Sequence, residues 1–355
     1  MTGAGRRPPL TLGIDVGGTK ILGVALDGDG RILAETRRPS VHPGATATGH
    51  PAAADALIET LAAVAEELLV HVGGTPGDRC GAGSPGAESV GVGVPGLVDD
   101  SGRLRFAPNL PAGDDVAVAD RLEQRLGIRV VADNDATCAT VAEWVLGAAS
   151  GASDALVVTL GTGIGGGIVT GGRVLRGAEG FAGEIGHVVV DPSGPRCTCG
   201  KRGCWERFAS GSGLARLARE AAHAGRLGSV VHLAGDDPDA VRGEHVTQAA
   251  RSGDADAQTV LDELGWWIAV GLSNLALVLD PEVIVLGGGM IEALPLVLPS
   301  VRREFTAMLE GADRRPEIRI VPAGLGEQAG AVGAALVARH DQRYGAELDR
   351  ARPRS

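Results

Sequence analysis

The sequence predicts a two-lobed α/β protein. Two observations point there: a strand, glycine turn and strand arrangement that occurs twice, and a length of 355 residues, too great for one ordinary core. A third is the material available for that core. Hydrophobic residues make up 44% of the chain, yet there are only one Tyr and four Phe, so Ala, Val, Leu and Ile must fill layers of sheet and helix.

Taken in order, Leu10 to Asp15 is a short apolar run that leads to Gly17-Gly18-Thr19, and Ile21 to Leu26 is a second. Asp27-Gly28-Asp29-Gly30 then makes a turn before Ile32-Leu33. The same order returns at Ala155 to Leu160, Gly161-Thr162-Gly163, Gly165 to Val169, Thr170-Gly171-Gly172 and Val174-Leu175, which predicts a duplicated unit. Between the copies, Ala52 to Val72 places Leu57, Ile58, Leu61, Val64, Leu68 and Leu69 at helical spacing, with Glu59, Glu66 and Glu67 opposite. Gly73 to Ala87, rich in Gly, Pro and Ser, reads as an excursion. Strands are expected at Ser89 to Val94 and Ile128 to Ala132, with a short helix around Val116 to Leu126.

Further on, Ala255 to Leu279 is nearly apolar all round and is expected to be a buried central helix, stopped at Asp280-Pro281. Val283 to Leu286 reads as a buried strand running into Gly287-Gly288-Gly289, and Glu327 to Ala338 as a small-residue helix. These elements place a small N-terminal lobe at 1–132, joined by a C-terminal helix at 327–341. A large lobe follows at 133–326, and a flexible tail at 342–355.

The charge balance bounds the partners. With 33 Lys and Arg against 44 Asp and Glu, the formal net charge of -11 argues against nucleic acid or an anionic membrane as the main partner. The opening MTGAGRRPPL lacks the apolar core of a signal peptide, and no later stretch offers about 18 uninterrupted apolar residues. A soluble cytoplasmic protein is expected. Of the five Cys, Cys80 and Cys138 stand apart and read as packed thiols, whereas three cluster with a histidine: His187, nine residues, Cys197, one residue, Cys199, four residues, Cys204. Four N and S ligands without an open position match a closed, structural zinc site, and Gly200 and Gly203 allow its tight turns.

Two other patterns carry chemistry. Asp133-Asn134-Asp135-Ala136 follows a strand and opens an amphipathic helix, where an Asp or Asn commonly serves as N-cap. Three polar residues in a row exceed that need, and a carboxylate there suits a general base. Gly13-Ile14-Asp15-Val16-Gly17-Gly18-Thr19-Lys20 and Leu160-Gly161-Thr162-Gly163-Ile164-Gly165-Gly166-Gly167 offer backbone N–H groups and a Thr hydroxyl to phosphate at hairpin turns. Neither fits a Walker loop or opens a helix as a dinucleotide site does.

From Leu10 to Ala338 these residues resemble the ROK family of sugar kinases and repressors, within the actin-like (ribonuclease H-like, hexokinase-like) ATPase folds. The most specific pieces are Gly183-Glu184-Ile185-Gly186-His187 and Cys197-Thr198-Cys199-Gly200-Lys201-Arg202-Gly203-Cys204-Trp205-Glu206. The resemblance implies an ATP-dependent hexose kinase with a zinc knuckle at 187–204. Asp15 would orient Mg2+ through water. The turns holding Gly17, Gly18, Thr19, Lys20, Thr162 and Gly163 would bind the ATP phosphates, and Gly287, Gly288 and Gly289 would lie on the adenosine side. Asn134, Glu184, His187 and Glu206, with Asn109 and the backbone near Gly96, would grip the sugar, and Asp135 would be the base aimed at its 6-hydroxyl. Asn109 beside Leu110 and the compact Cys-Thr-Cys-Gly spacing are most similar to glucokinases of this family, so the resemblance implies glucose, with N-acetylglucosamine, N-acetylmannosamine, mannose, fructose or allose as the alternative hexoses, and it implies a homo-oligomer of two or four chains. A repressor of the family would carry a DNA-binding helix-turn-helix ahead of the fold, and only 12 residues precede Gly13.

Overall fold

The computed structural model describes residues 10–40, 51–73, 86–107, 110 and 114–340. Most of the excursion at Gly73 to Ala87, the tail at 342–355, Cys80 and Asn109 lie outside them. Contacts group the chain into two units, residues 1–151, 167–183 and 327–355 in the first and 152–166 and 184–326 in the second.

In the first unit, β1 (Thr11–Val16), β2 (Lys20–Leu26) and β3 (Ile32–Pro39) form an antiparallel meander. The chain continues through α1 (Pro51–His71), β4 (Ser89–Val94), the short β5 (Leu97–Val98) and β6 (Leu104–Phe106), α2 (Val118–Leu126), β7 (Arg129–Asn134) and α3 (Asp135–Val145). The sheet order is β3-β2-β1-β4-β7, with β4 and β7 parallel to β1. The second five-stranded sheet repeats it. Its hairpin is β8 (Ala155–Leu160) and β9 (Ile164–Thr170), followed by β10 (Arg173–Val174).

The second unit adds four helices after the cysteine segment, α4 (Glu206–Ala209), α5 (Gly211–His223), α6 (Gly228–Leu233) and α7 (Gly243–Arg251). Then come α8 (Ala255–Leu279), β11 (Val283–Gly287), α9 (Leu294–Met308) and β12 (Arg319–Pro322), before α10 (Ala329–His340) closes the described chain. The second sheet's order, β10-β9-β8-β11-β12, is the first sheet's order again, with β11 and β12 parallel to β8. The duplicated glycine hairpin anticipated from the sequence is therefore a duplicated sheet.

Burial explains the placement of the helices in the first unit. Leu57, Leu61, Val64 and Leu68 of α1 are buried in one cluster with Leu12, Ile14 and Ile21 of the sheet. α10 packs on β1 and β4 and along α3, and its small residues allow close approach. A Cβ on Gly91 would lie 1.8 Å from the Ala334 carbonyl oxygen, and one on Gly13 would lie 1.9 Å from that of Ala331. Backbone cannot yield as a side-chain tip can. Gly91→Ala is therefore expected to cost about 1 to 3 kcal/mol by overpacking, read as a lowered Tm in thermal denaturation. The packing of α3 on α10 also accounts for a difference in boundary, since α3 groups with the first unit rather than heading the large lobe expected from 133 onward.

α8 has the limits expected of it, but it is not buried all round. Val260, Leu261, Leu264, Ile268 and Leu272 face the interior, whereas Trp266, Leu277 and Val278 are 40%, 50% and 81% exposed. An apolar composition fixes how much a helix can bury, not how many of its sides find a neighbour. By length and composition α8 is apolar enough to cross a membrane, but 56% of its apolar stretch is buried within the protein. Its inner face holds Trp205, whose ring lies so near Gly271 that a Cβ there would fall 1.9 Å from it, and whose Nε1 donates to the Trp267 carbonyl at 2.8 Å. Trp205, next to Cys204 in the chain, thus packs the end of the cysteine segment onto α8.

Candidate active site

In the first unit the polar turn after β7 divides its labour. Asn134 is the N-cap of α3: its Oδ1 accepts from the Thr137 N–H at 3.0 Å, and its Nδ2 donates to the Gly96 carbonyl at 3.1 Å. The capping role weighed for this turn therefore falls on Asn134. Asp135, at the first helical position, accepts from the adjacent Ala136 N–H at 2.8 Å. Asp133 is fully buried and bound to Arg176.

Asp15, at the end of β1, lies beside this turn. A Cβ on Gly93 would meet the Cα of Asp135 at 3.3 Å and Oδ1 of Asp15 at 3.4 Å, so Gly93 keeps the space between the two acids open. Gly330 of α10 leaves room for the Asp15 side chain, since a Cβ there would lie 2.5 Å from its carboxyl carbon. Burial pushes the Asp15 carboxyl up to about 7, the Asp135 charge pushes the same way, and Lys20 opposes both. Burial also raises Asp135, against the hydrogen bond from Ala136. Two desolvated carboxylates with a glycine-lined opening fit a hard divalent cation approached through its water shell.

A carboxyl whose folded pKa is raised binds its proton more tightly in the folded than in the unfolded chain. Its contribution to stability is complete below about pH 4 and is lost as the pH climbs through about 7. Without nucleotide or Mg2+, Asp15→Asn is expected to raise the Tm, and by more at pH 8 than at pH 5. Thermal melts at the two pH values check this, and an equal gain at both would contradict it.

The first glycine turn is closed by the Gly17 N–H donating to the Lys20 carbonyl at 2.9 Å, so that N–H is used within the turn, while Gly18 and Thr19 are exposed. The Lys20 ammonium reaches Oε2 of Glu327 at 2.6 Å. In the second unit, the Gly161 N–H donates to the Gly163 carbonyl at 3.0 Å and leaves Thr162 exposed at the tip. This turn lies against the Gly287-Gly288-Gly289 turn: the Met290 N–H donates to the Leu160 carbonyl at 2.8 Å, and the Gly211 N–H at the start of α5 to the Gly161 carbonyl at 2.8 Å.

The same unit gathers the carboxylates and the cysteine segment. Glu206 heads α4, and a Cβ on Gly163 would be 2.6 Å from its Oε2, so a larger residue there would shift the carboxylate. Oε1 of Glu206 accepts from the Cys197 thiol at 3.0 Å and lies 3.8 Å from Nδ1 of His187. Nε2 of His187 turns toward Glu184, 3.8 Å from its Oε2. One ligand atom each from His187, Cys197, Cys199 and Cys204 lies within 4.8 Å of the others. The Cys199–Cys204 separation is 3.5 Å, and Cys197 Sγ lies 3.7 Å from His187 Nδ1. A tetrahedral zinc ion with Zn–S near 2.3 Å and Zn–N near 2.0 Å has ligand-to-ligand edges of about 3.5 to 3.8 Å, so the donor set fits that ion. Gly203 has φ +71°, and a Cβ there would fall 1.6 Å from the Asp191 carbonyl oxygen, which makes glycine obligatory in the turn.

The first unit thus holds Asp15, Gly17, Gly18, Thr19, Lys20, Gly96, Asn134 and Asp135. The second holds Thr162, Gly163, Glu184, His187, Glu206 and Gly287 to Gly289. Arg176, Gly93 and Gly330 escaped the sequence reading. Each acts through a neighbour distant in sequence, and no local pattern marks it.

The sheet repeated with a glycine hairpin in each copy defines the actin-like ATPase fold. Within it the chain belongs to the ROK family, whose model matches residues 11–341. It is 36% identical over 335 residues to a glucokinase of Streptomyces coelicolor, covering 93% of this chain and 98% of that protein. The structure matches that of a ROK family glucokinase from Streptomyces griseus in complex with glucose and AMPPNP, with TM-score 0.78, 37% identity and coverage of 93% and 99% of the two chains. It is also 27% identical to the xylose repressor of Bacillus subtilis, over 94% of this chain and 80% of that protein.

Proposed function

We propose that this protein is an ATP-dependent hexose kinase that transfers the γ-phosphoryl group of ATP to the 6-hydroxyl of glucose. The observation that carries the reading is the state of Asp135. It is a desolvated carboxylate beside Asp15, relieved of capping by Asn134, in a chain similar over nearly its full length to glucokinases.

In this reading Asp135 accepts the proton of the sugar 6-hydroxyl as that oxygen forms its bond to the γ-phosphorus and the bond to the bridging oxygen of ADP breaks. Asn134, Glu184, His187, Glu206 and the backbone at Gly96 hold the remaining hydroxyls, which both donate and accept, and Asn109 adds a contact. The turns at 17–20 and 162–163 present N–H groups and hydroxyls to the phosphates, with Gly287 to Gly289 on the adenosine side. Bound Mg2+, oriented by Asp15, supplies charge neutralisation on the phosphates. His187 and the three cysteines would hold zinc, which would fix the histidine tautomer; Nε2 of His187, on the Glu184 side, would then face a sugar hydroxyl. A homo-oligomer in the cytoplasm belongs to the same reading.

The likeness to the xylose repressor motivates a second reading, a sugar-responsive regulator without turnover. A coupled assay of ADP release over glucose, mannose, fructose, allose, N-acetylglucosamine and N-acetylmannosamine decides. Glucose is expected to give the highest kcat/KM. A protein that binds ATP and sugar but turns over none of the panel would establish the regulator instead.

A further inference from the structure

One ion cluster in the first unit, buried at Arg176 and Asp133 and open to solvent at Asp100, has no part in the chemistry above. Arg176 lies just beyond β10, and its side chain is 7% exposed. Its Nη1 donates to Oδ2 of Asp133, whose side chain is fully buried at the end of β7. Its Nη2 and Nε lie 3.3 and 3.4 Å from Oδ1 of Asp100, in the turn after β5. The second oxygen of Asp133 is engaged as well: Oδ1 accepts from the Asn134 N–H at 2.7 Å. The Asp133 carboxylate therefore spans from the guanidinium to the peptide that begins the N-cap of α3.

The chain around Arg176 is shaped to this contact. The Ala182 N–H donates to the Arg176 carbonyl at 3.0 Å and closes a turn after Arg176. A Cβ on Gly180 would sit 2.9 Å from Nη2 and 2.9 Å from the Val98 carbonyl oxygen, so a larger residue would displace the fork. That turn leads directly to Glu184 and His187 in the sequence.

Simple charge balance does not account for this arrangement. A buried acid and base can often be replaced by neutral groups of similar size without loss of stability, so a pair retained in the interior has no necessary stabilising role. Here each oxygen of Asp133 has its own donor. The planar fork, placed by Asp100 through Nε and Nη2, sets where Nη1 meets the carboxylate, as a point charge would not. Asn134 is then held at its N–H by Asp133, at Oδ1 by Thr137 and at Nδ2 by Gly96, and Asp135 is the next residue.

We infer that Arg176 is a positioning residue: through Asp133 it sets the turn that aims Asp135, and it ties that turn to the segment leading to Glu184 and His187. The inference rests on the kinase reading for its effect on turnover, while its effect on the turn can be read without it.

The test uses Arg176→Lys, Arg176→Met and the double variant Asp133→Asn/Arg176→Met of the full chain, each with Tm, kcat and KM for glucose, and backbone hydrogen exchange over 133–137. Arg176→Met is expected to lower the Tm and to cut kcat about 100-fold, the scale of a misplaced catalytic group. Arg176→Lys, which keeps the charge but not the fork, should fall between it and the wild type. The double variant removes the unpaired charge and should recover the Tm while kcat stays low, falling more than KM rises, and amides 133–137 exchange faster. A double variant with wild-type kcat and wild-type exchange protection would overturn the inference, leaving Arg176 as charge balance alone. Should the wild type phosphorylate no sugar, the kinase reading fails by itself. The exchange at 133–137 then decides for Arg176, with unchanged protection overturning it.

Discussion

Asp135→Asn is expected to lower kcat by about 10²- to 10⁴-fold while leaving the dissociation constant for glucose within a few-fold of the wild type. The amide keeps the shape of the side chain, and its oxygen can still accept from the Ala136 N–H, which is 2.8 Å from Oδ1 in the wild type. What it loses is the ability to take a proton. Folding loss and catalytic loss separate cleanly here, because the substitution removes a desolvated charge that also raises Asp15. The variant's Tm should therefore be no lower than the wild type's. In the wild type, the acid limb of kcat/KM should lie above the ordinary carboxylate range, since the base works deprotonated and burial has raised its pKa. Turnover near the wild-type value in Asp135→Asn would remove the base assignment.

Cys199→Ala carries the second large effect. Three ligands hold zinc far less tightly than four, and structural zinc contributes directly to folding free energy. The variant is expected to lose its zinc, measured by metal analysis, to melt at lower temperature and to bind glucose more weakly. The loss should stop short of global unfolding. α4, which carries Glu206, is anchored on its other side by packing: Phe208 stacks on Trp267 with ring centroids 4.0 Å apart, and Trp205 is buried against Gly271. The effect on sugar follows from two connections: Cys197 Sγ and Nδ1 of His187, 3.7 Å apart, would share the zinc, and Glu206 heads α4 two residues after Cys204. Full zinc content in Cys199→Ala would count against the site.

How much of this could be read in the sequence depended on whether the signal was local. The two glycine hairpins, the limits of α8 and the His187, Cys197, Cys199 and Cys204 spacing are patterns within short windows, and the structure assembles each where the pattern put it. The helices α4 to α7, with α9 and β12, drew no expectation. Their signals are present, as in Leu214, Leu217, Ala218 and Ala221 along one side of α5, but glycines and charged residues break them into short pieces. The exposed side of α8 was misjudged because composition counts apolar residues without assigning them neighbours. Cys138 proved as packed as expected, with burial and the charges of Asp133, Asp15 and Asp135 holding its thiol protonated. Arg176 was illegible for another reason: it faces Asp133 and Asp100, far away along the chain, and only the folded chain unites them.

The central claim is a particular bond made to a particular oxygen. Incubation of the protein with ATP, Mg2+ and glucose, followed by proton–phosphorus correlation NMR of the product, tests it most directly. The account predicts a single phosphoester whose phosphorus couples to the two C6 protons of glucose, formed by the wild type and not by Asp135→Asn. A phosphoester on any other carbon, or none while the protein holds both nucleotide and sugar, would contradict it.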